Sequence, residues 1–176
     1  YGPNDTANID NNVYHIDTPN GYLCIWDNGG IDEITATGKE TSSLIDLRNA
    51  TLRNEEGGGG FASYSENEFR GYTIAYNTTG LCIIENATGG NGDATLIGNS
   101  AGNILNGGLG EDLMEGGAGN DIYVVDNDAD TAIEEEDAGT DTIKCSATYS
   151  LEEAENVENL SLVGSKDISG IGNMLN

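Results

Sequence analysis

The sequence predicts an all-β chain wound as a solenoid. Three observations carry that expectation. Residues 89–124 repeat with a period of nine, each unit ending in a short stretch around one large side chain. Outside that region, strand-like runs are separated by Gly and Asn, with two prolines and little 3.6-residue periodicity, so helical layers are not expected. Finally, a hydrophobic content of 36% with eight tyrosines argues against disorder throughout, even though the acidic surplus alone would suit a disordered segment.

Three regions follow in order. Residues 1–88 hold the strand-like runs Tyr22-Leu23-Cys24-Ile25-Trp26, Tyr72-Thr73-Ile74-Ala75-Tyr76 and Leu81-Cys82-Ile83-Ile84, with Gly57-Gly58-Gly59-Gly60 as a loop. Residues 89–125 hold four repeat units, which start at Gly89, Gly98, Gly107 and Gly116. Residues 126–176 continue as short strands, notably Thr142-Ile143-Lys144-Cys145 and Leu160-Ser161-Leu162-Val163. Only Ser150-Leu151-Glu152-Glu153-Ala154-Glu155 has a helical look, and a single turn would satisfy it. Cys24, Cys82 and Cys145 are odd in number and far apart, without a metal-ligand pattern. Lying in apolar runs, they read as small buried hydrophobes, with a Cys24–Cys82 disulfide as the alternative.

The third and fourth units, Gly107-Gly108-Leu109-Gly110-Glu111-Asp112-Leu113-Met114-Glu115 and Gly116-Gly117-Ala118-Gly119-Asn120-Asp121-Ile122-Tyr123-Val124, fit the pattern G-G-x-G-x-D-x-U-x, where U is large. The first six residues make a turn in which glycines admit positive φ and leave room for carbonyls to point inward. The Asp in sixth place adds a carboxylate, and carbonyl plus carboxylate oxygens suit a hard cation such as Ca²⁺. The last three residues make a short strand whose U side chain (Leu96, Leu105, Met114 or Tyr123) points inward. A flexible Gly/Asn/Asp-rich loop would have no reason to keep apolar residues in phase over four units.

This pattern resembles the calcium-binding nonapeptide of the RTX (repeats-in-toxin) proteins. The resemblance implies a right-handed parallel β-roll, a calcium-bound solenoid with flanking β-strands, in which two units make one coil. Ions sit between a turn and the turn two units later. The implied ligands are Gly90, Gly92 and Asp93 in the first turn, Asn99, Ala101 and Asn103 in the second, Gly107, Gly108, Gly110 and Asp112 in the third, and Gly116, Gly117, Gly119 and Asp121 in the fourth. Asn103 then faces Asp121, and Ala94 faces Asp112. Because Ala94 lacks a carboxylate, that site is expected to be weaker or filled by carbonyls and water, with Asp93 one position early as a substitute. A fifth turn pairs with the third, supplied by Asp126, Asp128 or Asp130.

Two longer phrases are similar to the serralysin-type C-terminal domain: Trp26-Asp27-Asn28-Gly29-Gly30-Ile31-Asp32-Glu33-Ile34 matches W-D-x-G-G-x-D-x-[IFL], and Ile84-Glu85-Asn86-Ala87-Thr88-Gly89-Gly90 matches I-E-N-A-x-G-G. Tyr1-Gly2 resembles the Y-G that follows the junction between protease and roll. This resemblance covers residues 1–125 and implies two further ions. Asp27, the Gly29 carbonyl and Asp32 share one, and the Gly30 carbonyl, Asp32, the Ile83 carbonyl and Glu85 hold the other. Residues 126–176 resemble the extension of longer RTX arrays, through Tyr123-Val124-Val125-Asp126-Asn127, Gly139-Thr140-Asp141-Thr142-Ile143 and Glu155-Asn156-Val157-Glu158-Asn159-Leu160. The run Glu134-Glu135-Glu136-Asp137 reads as a solvated face, so replacing Glu134 is expected to change little.

With 31 acidic and 6 basic residues the formal charge is −25. Such a chain repels itself when compact: two carboxylates about 5 Å apart at an effective dielectric near 20 oppose each other by roughly 3 kcal/mol. Nucleic acid and anionic membranes are poor partners, and no apolar stretch of about 18 residues suggests a membrane span. The only histidine, His15, cannot supply the H-E-x-x-H-x-x-G-x-x-H zinc site of the serralysin proteases, and no G-x-S-x-G elbow occurs. No catalytic residue is therefore assigned, and a zinc endopeptidase would lie upstream in the same polypeptide. The opening and closing residues carry neither a signal peptide nor an initiator Met, and the chain is expected to be part of a longer protein. The expectation is a secreted, extracellular, calcium-binding module of bacterial type I secretion, whose partners are calcium, an upstream domain and the secretion machinery. The alternatives are a spacer in an adhesin or surface filament, or a non-catalytic module of a polysaccharide-active enzyme.

Overall fold

The structure is a computed structural model that describes residues 11–16, 22–27, 29–50, 61–66, 71–75, 82–164 and 167–175. Tyr1-Gly2, Asn28, the Gly57-to-Gly60 loop, Tyr76 and Leu81 lie outside the described residues. In chain order the strands are β1 (Val13–His15), β2 (Tyr22–Ile25), β3 (Glu33–Thr35), β4 (Ser43–Asp46), β5 (Ser63–Ser65), β6 (Gly71–Ile74), β7 (Asn86–Thr88) and β8 (Ala94–Ile97). They continue as β9 (Ile104–Asn106), β10 (Leu113–Glu115), β11 (Ile122–Val125), β12 (Thr131–Ile133), β13 (Thr142–Cys145), β14 (Tyr149–Ser150), β15 (Asn159–Leu162) and β16 (Gly170–Ile171).

These strands stack as a parallel β-solenoid of about six turns. One seven-stranded sheet runs β1-β3-β7-β9-β11-β13-β15, all parallel, and the other runs β12-β10-β8-β4-β5-β6-β2. Successive repeat units alternate between the sheets, so two units complete one coil.

Register explains the spacing of large side chains. Ile34, Ala87, Leu105, Tyr123 and Ile143 line up across the first sheet, and Ile45, Leu96, Met114 and Ala132 across the second. All four U side chains are 0% exposed. Each coil thus contributes one inward residue per strand to a continuous core, and burial of each stabilises the stack by about 1.5–3 kcal/mol. The ordinary alternation of a strand points the flanking residues outward; Ile104 and Leu113 are exposed accordingly.

Four features depart from the sequence expectations. First, β5 pairs antiparallel with both β4 and β6, so this segment is inserted between β4 and β2 in the second sheet. Second, the described part of the run ending at Ile84 is not a strand. Its carbonyls are taken by side-chain amides instead: Asn49 Nδ2 donates to the Cys82 carbonyl at 2.6 Å and Asn99 Nδ2 to the Ile84 carbonyl at 2.8 Å. The ladder begins only at Asn86. Third, Cys24 is exposed rather than buried, whereas Cys82 and Cys145 are buried, and all three are free thiols. Fourth, Glu134 is half-buried at the end of β12, while Glu135, Glu136 and Asp137 are exposed. The helical look near residue 150 resolves to one 3₁₀ turn, Leu151–Glu153, whose N-cap Ser150 side chain accepts from the Glu152 N–H.

Candidate metal centre

The residue just before each strand of the first sheet stands in a column along one edge of the solenoid. From the register of the strands that follow them, these residues are Asn12, Asp32, Glu85, Asn103, Asp121, Asp141 and Glu158. Hydrogen bonds tie most of the column together. The Asn12 N–H donates to Asp32 Oδ1 (2.7 Å), that of Asp32 to Glu85 Oε2 (2.8 Å), and that of Asn103 to Asp121 Oδ1 (2.6 Å). The Asp121 N–H then donates to Asp141 Oδ1 (2.8 Å) and that of Asp141 to Glu158 Oε2 (2.7 Å). A shorter column on the opposite edge holds Ser43, Ala94, Asp112 and Asp130. There the Ala94 N–H donates to Asp112 Oδ1 (2.7 Å) and the Asp112 N–H to Asp130 Oδ1 (3.1 Å).

In three of these aspartates the ladder uses one oxygen and leaves the other bare. Asp32 Oδ2, Asp112 Oδ2 and Asp121 Oδ2 are buried without a hydrogen-bond partner. An ionised carboxylate oxygen withdrawn from water and unpaired is costly. Burial, the leading cause, pushes all three carboxyls up to about 6. Neighbouring acids add to it: Asp27 and Glu85 for Asp32, Asp130, Asp126 and Asp93 for Asp112, and Asp141 for Asp121. The site is short of positive charge, and a divalent cation would supply it.

The turns provide the space. Gly108, Gly110, Gly117 and Gly119 take φ of +91°, +125°, +88° and +131°. A Cβ on Gly119 would lie 2.5 Å from the Ala101 carbonyl oxygen, and one on Gly117 2.8 Å from that of Asn99. The second and fourth turns therefore stack carbonyl against glycine, and the first and third do likewise, since a Cβ on Gly108 would overlap the Gly90 carbonyl and one on Gly110 would lie 3.0 Å from the Asp93 backbone nitrogen. Cβ atoms on Gly107 and Gly116 would overlap the bare oxygens of Asp112 and Asp121. Hard oxygen donors around glycine-lined space fit Ca²⁺.

The first two turns differ. Gly90, Gly92, Asn99 and Ala101 are not in the left-handed region. Asn103 Oδ1 accepts from the Asn99 N–H (2.8 Å), and its Nδ2 donates to the Glu85 carbonyl (2.8 Å). Asn103 is thereby satisfied as an amide where Asp121 is not satisfied as an acid. Asp93 is exposed, and its Oδ1 accepts from the Glu111 N–H at 3.0 Å, which brings it to the edge of the Asp112 turn. Of the acids offered for the fifth turn, Asp130 occupies the column. Its Oδ2 accepts from the N–H groups of Asp126 (3.2 Å) and Asn127 (3.3 Å).

In the amino-terminal group, Asp27 and Asp32 are both buried and converge on Asn12, whose Nδ2 donates to Asp27 Oδ2 (3.1 Å) and Asp32 Oδ1 (3.3 Å). Tyr14 also donates to Asp27 Oδ2 (2.7 Å), and the Gly29 N–H to Asp27 Oδ1 (3.2 Å). Gly29 and Gly30 take φ of +134° and +122°, and Ile83 and Glu85 are half-buried on the next coil. His15 is an exposed residue of β1.

Sequence reasoning missed Asn12, Ser43, Asp141 and Glu158 as column members, and it placed Glu134 on a solvated face. The Glu134 carboxylate instead accepts from the Tyr123 hydroxyl, and its Oε2 is buried without a partner. Among the described residues, Asp121, Glu134 and Asp141 each offer an oxygen within 4.8 Å of the others. No helix among the described residues is long and apolar enough to cross a membrane.

A family model described as the peptidase M10 serralysin C terminal matches residues 1–175. The match runs past residue 125 and through the segment whose phrases resemble longer repeat arrays. No curated protein matches the chain.

Proposed function

The chain belongs to the peptidase M10 serralysin C-terminal family, and from that premise we propose that it is a non-catalytic calcium-binding β-roll module of a larger secreted bacterial protein, a serralysin-like metalloprotease. Its work is to make folding depend on extracellular calcium. The observation that carries this reading is the set of bare, buried aspartate oxygens, Asp32 Oδ2, Asp112 Oδ2 and Asp121 Oδ2, at stacked turns.

Asp112 and Asp121, with the turn carbonyls of the facing coils, are the residues to hold ions in the repeats. Asp27, Asp32 and Glu85, with the carbonyls of Gly29, Gly30 and Ile83, are those of the amino-terminal group. Bound calcium supplies the positive charge that lets these carboxylates stay ionised inside the fold. A site with Kd near 10⁻⁴ M facing millimolar calcium adds about 1–3 kcal/mol to folding. In a cytosol where free calcium is far below that Kd, the gain vanishes. A chain of charge −25 would then remain unfolded for passage through a type I secretion channel and fold outside, next to the domain upstream of it.

Circular dichroism in EDTA and in millimolar calcium tests this. The expected result is strong β signal only with calcium; equal β content in EDTA would defeat the proposal.

A further inference from the structure

Glu134 stands two repeat units' length after Gly116, at the place in its coil where Gly98 and Gly116 open the second and fourth turns. Its side chain reaches back across the stack. A Cβ on Gly116 would lie 2.7 Å from Glu134 Oε1 and would overlap both the Tyr123 hydroxyl and Asp121 Oδ2. The missing side chain of Gly116 thus opens a space on which three oxygens converge, two from its own repeat unit and one from Glu134 on the next coil. Asp141, which accepts from the Asp121 N–H, closes the group.

Two of these carboxylates carry an unmet oxygen. Asp121 is 1% exposed and its Oδ2 has no partner; Glu134 Oε2 is likewise buried and bare. Among the described residues no Lys or Arg pairs with any of the three. Their ligand oxygens all lie within 4.8 Å of one another, close enough to share one cation, and an all-oxygen donor set suits a hard ion such as calcium.

The geometry points to a three-carboxylate calcium site formed by Asp121, Glu134 and Asp141, in which Glu134, outside the nonapeptide pattern, is a direct ligand and Tyr123 orients it through its hydroxyl. This rests on the calcium reading of the roll but assigns a ligand that the repeats do not supply. Three carboxylates leave the occupied site with net negative charge, so it should hold calcium more tightly than the turn whose partner is Ala94.

The test uses the whole chain, with calcium calorimetry and terbium as a luminescent substitute excited through tyrosine. Glu134→Gln should lower the calcium count by one, or weaken one ion about tenfold. It should also remove the terbium emission that Tyr123→Phe removes, while Glu135→Gln changes neither. Asp141→Asn is the second variant and should act like Glu134→Gln. Asp112→Asn separates the two readings, because it affects the opposite edge. If Asp112→Asn weakens binding while Glu134→Gln and Asp141→Asn bind as the unaltered chain does, this site falls and the module's calcium dependence stands. If the unaltered chain binds no calcium, both fall.

Discussion

Asp121 and Asn103 occupy register-matched positions in neighbouring coils, and the difference between an acid and an amide decides what each turn requires. The Asn103 amide donates to the Glu85 carbonyl at 2.8 Å and its oxygen accepts from the Asn99 N–H at 2.8 Å. Asp121 has no hydrogen to donate, so it accepts once, from the Asn103 N–H at 2.6 Å, and keeps a bare oxygen. Leaving such a group unmet in the folded state costs about 1–3 kcal/mol, more when it is charged. Replacing Asp121 with Asn should therefore act in opposite directions. In EDTA the variant should be no less folded than the parent, because the buried charge is gone. In calcium it should need about tenfold more ion to reach half its β signal, since a tenfold change is only ~1.4 kcal/mol. Calcium titrations followed by circular dichroism read both arms, and a variant weaker in EDTA as well would show that Asp121 serves the fold without an ion.

At the scale of the element, the inward residue of each short strand carries the stack and the glycine corner permits the next coil to approach. Leu105 is 0% exposed and in register with Ala87 and Tyr123. Leu105→Ala should cost about 2–5 kcal/mol at saturating calcium, whereas Leu113→Ala, on an exposed position of β10, should stay within about 0.5 kcal/mol. Gly119→Ala meets both a φ of +131° and the Ala101 carbonyl at 2.5 Å, so it should destabilise more than the ~1 kcal/mol of an ordinary Gly-to-Ala conflict. Thermal unfolding in calcium measures all three. These positions were legible in the sequence because a strict nine-residue period leaves one answer for which side chain points in. Legibility ended where coil length changed. Asp121 and Asp141 are 20 residues apart, Asp141 and Glu158 17, and Asp32 and Glu85 53, so no fixed period could align them. The amide-bonded stretch before β7 looks like a strand in the sequence because Leu81-Cys82-Ile83-Ile84 is a short apolar run. What distinguishes it is where its carbonyls bond, which depends on Asn49 and Asn99 far away in the chain. Glu134 is hidden in the sequence for a related reason: three of the four acids in its run do face water, and only the gap at Gly116 draws the first one in.

For the whole molecule, the question is what holds a chain of charge −25 in a compact stack, and pH separates the two available answers. Asp32, Asp112 and Asp121 are held up to about 6 in the fold, against an ordinary value of 3.8. Between those values the folded chain binds protons that the unfolded chain does not. Protonation therefore favours the metal-free fold fully below about pH 4, and this contribution is lost as pH rises through about 6. In EDTA, acidification from pH 7.5 to 5 should raise the β signal. In calcium the same carboxylates must stay ionised to hold ions, so acidification should raise the calcium concentration needed for half-folding. Lowering the overall surface charge would favour compaction in both media, but that part is screened by salt, with a Debye length of about 4 Å at 0.5 M. Opposite pH slopes that survive 0.5 M salt would place the effect in the buried columns. Parallel slopes, or slopes that vanish in salt, would place it on the surface and remove the aspartate columns as the seat of the proposed calcium dependence.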